Sequence, residues 1–316
     1  MAMPLVETKN LKKYFKTGAG MLHAVEDVNL KIMPGKTLGV VGESGCGKST
    51  LGRTILRLQP ATAGEVLYNG ENILKYKGKD MQKIHLNMQM VFQDPYSSLD
   101  PRMSVHNLIA EPVQVCGLLK TKAEINEHVR EIMDMCGLPA DQANLFPHEL
   151  DGGLRQRVGL ARAMAVSPKF IVCDEPVSAL DVSIQAQILN LLMDLQEQRE
   201  LSYMFITHDL CVVKHISDEI MVMYMGQVVE HAKTVELFAN PVHPYTKALL
   251  HAVPTIDLSK RNREGFMLRG EVTSPINPAP GCRFAPRCPY ATDKCKENVC
   301  LKEVSPDHFV ACSLCD

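Results

Sequence analysis

The stretch Gly42-Glu43-Ser44-Gly45-Cys46-Gly47-Lys48-Ser49-Thr50 constrains this chain more than any other. It follows the pattern glycine, any four residues, then Gly-Lys-Ser/Thr. Before it stands a short apolar run, Lys36 to Val41, and after it Leu51, Ile55 and Leu56 recur at helical spacing. The context predicts strand, glycine-rich loop and helix, which is the layout of a phosphate-binding P-loop. Glycines let backbone N–H groups wrap a phosphate, and the positive end of the helix dipole faces the same way. In such a loop Lys48 reaches the β- and γ-phosphates of ATP and the Ser49 hydroxyl ligates Mg²⁺.

At 316 residues the chain suits one large domain with something smaller beside it. Its 34 basic and 36 acidic residues leave a formal charge of −2, without the basic excess of a nucleic-acid binder. No run approaches the roughly 18 apolar residues of a membrane helix, and Met1 to Asn10 lacks the basic-then-apolar layout of a signal peptide. A cytosolic chain is therefore expected, in a compartment where disulfides rarely persist. Of its 11 cysteines, Cys46, Cys116, Cys136, Cys173 and Cys211 are scattered, whereas Cys282, Cys288, Cys295, Cys300, Cys312 and Cys315 crowd the C-terminal end.

Beyond the P-loop, Glu65 to Ile73 holds an Asn69-Gly70 pair between apolar stretches, a hairpin signal, and Met88 to Phe92 reads as a strand. From about Ser97 to Met164 the spacing turns helical, for example at Val129, Ile132 and Met133, which predicts a helical subdomain over about 97–165. Three β-type runs follow, Phe170 to Cys173, Tyr203 to Thr207 and Ile220 to Tyr224, with a helical stretch from Ile184 to Leu195 between the first two. Strands alternating with helices predict an α/β fold with a mainly parallel core sheet. From Val253 the text is loop-like and rich in Pro, which puts a boundary near residues 253 to 270, with domains at 1–252 and 253–316.

Phe170 to Glu175 is an apolar run ending in paired carboxylates. Beside a P-loop, Asp174 would hold Mg²⁺ through water and Glu175 would polarise the attacking water. His208, in Thr207-His208-Asp209, follows the next strand and would lie near the γ-phosphate at the carboxyl edge of the sheet.

Taken together, the P-loop, Leu150-Asp151-Gly152-Gly153-Leu154-Arg155-Gln156-Arg157, the acidic strand, Ser178-Ala179-Leu180-Asp181 and His208 resemble the motifs of ABC ATPases in order and spacing. The resemblance implies a P-loop NTPase with a parallel core, an antiparallel β subdomain and the helical insertion. It implies that Gln93, in Val91-Phe92-Gln93-Asp94-Pro95, touches Mg²⁺, that Phe15 stacks on adenine with Tyr14 as the runner-up, and that Asp181 belongs to the nucleotide site. Asn240-Pro241-Val242-His243-Pro244-Tyr245-Thr246 and the run from Pro278 to Cys288 narrow the likeness to oligopeptide/dipeptide/nickel importer ATPases. That implies a subunit on the cytoplasmic face of the cell membrane, docked on two membrane permeases. A second, non-identical ATPase and an extracellular solute-binding protein would complete the system. A soluble ABC ATPase without a permease is the alternative. A catalytically silent partner is a further one, disfavoured by the presence of both Glu175 and His208.

ABC ATPases carry Leu-Ser-Gly-Gly-Gln at the signature, and here Asp151 replaces the Ser and Leu154 the Gln. In the nucleotide-sandwich dimer of that family the signature reaches the γ-phosphate on the other subunit. An ionised Asp cannot donate a hydrogen bond there and repels it, by about 4 kcal/mol at roughly 4 Å and an effective dielectric near 20. Gly152 and Gly153, which allow close backbone approach, are kept. The expectation is an asymmetric heterodimer; a tolerated variation is the other reading.

In the tail, Cys282, Cys288, Cys295 and Cys312 are set among loop-forming Gly281, Pro286 and Pro289. Thiolates so spaced can close around tetrahedral Zn²⁺ or an iron–sulfur cluster, and spacing does not separate the two; metal-free thiols are the third reading. The importer resemblance implies a 4Fe–4S cluster on these four residues, with Cys300 and Cys315 surplus.

Overall fold

The computed structural model describes residues 3–253, 275–297 and 299–315. They form two compact units. One holds residues 3–4, Ile32–Lys36 and Lys75–Ile206; the other holds Leu5–Lys31, Thr37–Leu74 and the described residues of Thr207–Asp316. Apart from Val253 and whatever precedes it, the boundary expected near 253 to 270 lies outside the described residues.

The unit that carries the P-loop begins with strands β1 (Val6–Thr17), β2 (Gly20–Ile32) and β3 (Thr37–Val41), then helix α1 (Lys48–Ile55), β4 (Ala63–Tyr68) and β5 (Glu71–Asn72). β2, β1, β4 and β5 make a sheet in that order. Its β4–β5 turn is the expected one: Asn69 and Gly70 have φ of 49° and 80°, the left-handed pair that a tight hairpin needs. β3 is buried along its whole length, so its near-continuous apolar run has no solvent face to mark with polar residues.

The other unit contains α2 (Gly78–Asn87), β6 (Met88–Val91), α3 (Pro95–Ser98), α4 (Val105–Val115), α5 (Lys122–Met135), α6 (Gly152–Met164), β7 (Phe170–Asp174), α7 (Val182–Arg199) and β8 (Ser202–Ile206). β6, β7 and β8 run parallel, registered from Met88 opposite Phe170 to Asp174 opposite Ile206. Helix α5 shows why its segment folds as it does. Thr121 and Glu124 form a capping box, and Ile125, Val129, Ile132 and Met133 share one buried face.

Returning to the P-loop unit, α8 (Leu210–Ile216), β9 (Glu219–Tyr224), β10 (Gln227–Lys233), α9 (Thr234–Ala239) and α10 (Pro244–His251) follow, and β11 (Lys302–Ser305) and β12 (His308–Val310) close the chain. β9 lies parallel to β3 and antiparallel to β10. The C-terminal stretch, expected as loops, supplies a hairpin: β12 pairs with β10 at Glu230–Val310 and His231–Phe309. Buried Glu230 anchors it, accepting from His308 Nε2 at 2.7 Å, Val242 N at 2.8 Å and His243 N at 3.0 Å. No helix among the described residues is long and apolar enough to cross a membrane.

Candidate active site

The P-loop owes its shape to glycines at two close approaches. A Cβ on Gly47, at φ 106°, would stand 2.1 Å from the Ala24 carbonyl oxygen, and one on Gly42 would stand 2.2 Å from that of Met223. No other residue fits either position. Gly45 and Ser44 lie at the exposed crest of the loop, with buried Cys46 beneath. α1 starts at Lys48 with no side-chain cap and no acidic residue in its first turn, where the positive end of the helix dipole lies. Lys48 is buried and its Nζ donates to the carbonyl oxygens of Gly42 at 2.8 Å and Glu43 at 3.0 Å. Ser49 and Thr50 follow, half-buried, in the first turn of α1.

In the same unit His208 is exposed on the turn between Thr207, whose N–H donates to Val40 O at 3.2 Å, and Asp209, which caps α8 through Cys211 N at 2.7 Å. Phe15 and Tyr14 occupy successive positions of β1. Lys13 Nζ sits 4.6 Å from the centre of the half-buried Phe15 ring. Tyr14 is otherwise engaged, donating to Glu26 at 2.5 Å and stacking on His23 at 4.0 Å.

In the other unit, β7 ends on fully buried Asp174 and hands over to Glu175. Glu175 has φ 47°, a left-handed conformation that a side chain rarely adopts and that the surroundings must hold. They do so from both ends of its backbone. Glu175 N–H donates to Ile206 O at 2.9 Å, and its carbonyl accepts from Ser178 N at 3.3 Å and Oγ at 3.2 Å. Its carboxylate then accepts from Gln93 Nε2 at 2.8 Å, joining residues far apart in sequence.

Asp151 is the N-cap of α6, and its Oδ1 accepts from Leu154 N at 2.8 Å. One carboxylate oxygen is therefore committed to its own helix, a capping task that Ser performs equally well. Gly153 is close-packed: a Cβ there would meet Ile184 Cγ2 at 2.7 Å, and one on Gly152 would meet Leu180 at 3.2 Å. Asp181 stands at the N-cap of α7 without a capping bond from its side chain.

The side chains assigned to Mg²⁺, the Ser49 hydroxyl, the Gln93 amide oxygen and the Asp174 carboxylate, are all hard oxygen donors and suit that ion. The cysteine tail does not suit a metal. Among the described residues no group of three or more His, Cys, Asp or Glu side chains could hold a metal ion, which overturns the 4Fe–4S assignment of Cys282, Cys288, Cys295 and Cys312 and the zinc alternative with it. The thiols have other work. Cys282 and Cys288 pack against the core around Tyr224, Tyr245 and Phe284, and Cys295 Sγ lies 3.2 Å from Ser313 Oγ and accepts from Thr292 N. Burial pushes the Cys282 thiol up to about 11.

From Gly281 to Cys288 the sequence yielded a family likeness, loop formers and cysteines, but no role for the two arginines. Arg283 and Arg287 are buried in ion pairs with Glu26 and Glu43. The signal was there in paired Arg residues within a Pro- and Gly-punctuated segment, but their partners lie more than 200 positions away.

A P-loop leading into a helix, together with a buried acidic strand, defines the class as a P-loop ATPase. The ABC transporter family model matches residues 25–178, and the model of the oligopeptide/dipeptide transporter C-terminal region matches residues 229–295. The oligopeptide transport ATP-binding protein OppF of Bacillus subtilis is 49% identical over 99% of this chain and 97% of its own length. AppF, another oligopeptide transport ATP-binding protein of that bacterium, is 47% identical over 98% of this chain and 97% of its own. Among solved structures, the ATP-binding cassette MJ0796, described as dimeric and bound to ADP and Pi, superposes with a TM-score of 0.66 at 30% identity, covering 72% of this chain and 98% of that one. The chain belongs to the ATP-binding proteins of the ABC transporter family, in its oligopeptide/dipeptide branch.

Proposed function

We propose that this chain hydrolyses ATP to drive peptide import, docked at the cytoplasmic face of the membrane on two permease subunits and paired with a second, related ATPase. An extracellular solute-binding protein would deliver the peptide. Residues 1–252 form the ATPase domain, with the helical subdomain over about 97–165, and 253–316 form the family extension.

In this reading the glycines of Gly42 to Gly47 admit the phosphates to backbone N–H groups, Lys48 holds the β- and γ-phosphates, and Phe15 stacks on adenine. Ser49, Gln93 and Asp174 would hold Mg²⁺, which when bound neutralises phosphate charge. Glu175 accepts a proton from water as the water oxygen attacks the γ-phosphorus and the bond to the bridging oxygen of ADP breaks. His208 donates a hydrogen bond to the γ-phosphate, and Asp151, Gly152, Gly153 and Asp181 face the nucleotide of the partner ATPase.

The 2.8 Å bond from Gln93 to Glu175 carries this reading, because it holds the proposed base against the glutamine assigned to Mg²⁺. The names of the relatives, oligopeptide transport ATP-binding proteins, support the choice of peptide as cargo. Affinity purification of the tagged chain from membranes tests it. Co-purification of two polytopic permeases and a related ATPase, with ATPase activity that rises when peptide-loaded binding protein is added, is expected. Recovery without any membrane protein would favour the soluble ATPase instead.

A further inference from the structure

Three groups of one P-loop residue, Glu43, are all taken. Its carbonyl accepts from Lys48 Nζ at 3.0 Å, its N–H donates to the Tyr245 hydroxyl at 2.8 Å, and its carboxylate accepts both Nη groups of Arg287, at 2.8 and 3.1 Å. Arg287 lies in the segment after the ATPase core and is only 8% exposed. Its guanidinium also faces the Tyr224 hydroxyl, and the Tyr224 ring packs edge to face on Tyr245 and Phe284. A fork-to-fork pair of this kind fixes orientation as well as charge. Glu43 is therefore the link between the C-terminal segment and the lysine assigned to the phosphates.

A second arginine repeats the arrangement on β2. Arg283 donates to Glu26 at 3.0 Å and to the Met225 carbonyl. Glu26 also accepts from Tyr14, neighbour of Phe15, and its backbone N–H donates to Gly226 O, while Gly226 N–H donates to Cys46 O of the P-loop, both at 2.8 Å. Burial by itself would raise the Glu26 carboxyl, but hydrogen bonds from Tyr14, His23 and Lys12 and the charge of Arg283 hold it down at about 2. Two buried arginines of one short segment thus each grip a carboxylate on an element of the nucleotide pocket.

We infer that Arg287, with Arg283 beside it, is a positioning residue for nucleotide: the C-terminal segment holds the P-loop, through Glu43, in the form that receives the phosphates. The inference rests on the assignment of Lys48 to ATP. Where Glu43 is released, the loop and the Lys48 ammonium must be ordered by ATP itself, so affinity falls before turnover does.

The test is a double-mutant cycle in the full chain, with ATP dissociation constants, KM and kcat for ATP, and thermal unfolding without nucleotide. Arg287→Met and Glu43→Gln should each weaken ATP binding about tenfold, and the double variant no more than the stronger single, with kcat changed far less. Arg287→Lys, which keeps charge but loses the fork, should fall between, and it replaces Arg287→Met in the cycle if that variant does not fold. ATP dissociation constants within about twofold of the parent, even with lowered unfolding temperatures, would show Arg287 to be structural only. Single effects that multiply in the double variant would show that the two residues act independently; either result overturns the inference. Lys48→Ala separates the two levels: ATP binding indifferent to Lys48 removes the ATPase reading itself, whereas binding that needs Lys48 and ignores Arg287 removes only this one.

Discussion

Glu175 is held in a left-handed backbone conformation between Ile206 and Ser178, with its carboxylate fastened to Gln93. Such strain costs about 1–3 kcal/mol and survives only where the surroundings impose it. Glu175→Gln keeps size and shape but removes the base. It should lower kcat of the assembled transporter by about 10² or more while ATP still binds and the unfolding temperature barely moves. Wild-type turnover in that variant would refute the role. A second residue-scale expectation concerns pH. His243 is 1% exposed, its Nδ1 accepts from Tyr245 N at 3.1 Å at the start of α10, and burial pushes its imidazole down to about 3. The unfolded chain takes up this proton near pH 6.5 and the folded chain does not, so stability is present above pH 6.5 and falls as pH drops below it, by up to about 1.4 kcal/mol per pH unit. Urea unfolding between pH 6.5 and 4.5 should show this slope, and His243→Asn, which keeps a capping acceptor, should lose the contribution of one proton. An unchanged slope in that variant would assign the acid sensitivity elsewhere.

At the scale of elements, α6 shows how a departure in a motif can be locally sound. Asp151 caps the helix through Leu154 N, as Ser would, so Asp151→Ser should leave thermal stability nearly unchanged whereas Asp151→Ala should cost about 1 kcal/mol. Equal unfolding temperatures for the two variants would show the cap to be idle. The same locality decides what could be read from the sequence. The β4–β5 turn at Asn69-Gly70, the start of α1 after a glycine loop, and the amphipathic face of α5 are set by neighbours within a turn or two, so pattern reasoning reaches them. The β11–β12 hairpin was beyond it. β12 exists because β10 offers an edge and because His308 meets Glu230, a partner 78 positions away. The same limit applied to the tail. Four cysteines at loop-like spacing suggested a metal, but whether thiols converge depends on packing against Tyr224, Tyr245 and Phe284, which spacing does not encode.

For the whole molecule, the question is whether the chain can work as two copies of itself. The motifs of the site were legible because phosphate chemistry demands particular residues at fixed spacing; how the site is shared between subunits was not, since that depends on a second surface. In the sandwich arrangement proposed here each composite site takes its P-loop from one subunit and its signature from the other. This chain brings Lys48, Asp174, Glu175 and His208 complete, but a signature in which Asp151 stands where a hydroxyl would donate to the γ-phosphate. The bond of Asp151 to Leu154 N turns one oxygen toward the helix and lessens the repulsion, yet it supplies no donor. A homodimer would place that signature in both sites, whereas a heterodimer with an Leu-Ser-Gly-Gly-Gln partner leaves the site at Lys48 fully equipped. ATPase activity of the purified chain alone should therefore be low, and adding the partner ATPase should raise it by about tenfold or more, in keeping with the loss of one donor to a developing charge. Asp151→Ser with Leu154→Gln should then restore hydrolysis at the partner's P-loop while changing little at Lys48. Full turnover by a homodimer of the unaltered chain would mean that Asp151 is harmless where it sits, and that the two sites of the assembly are equivalent.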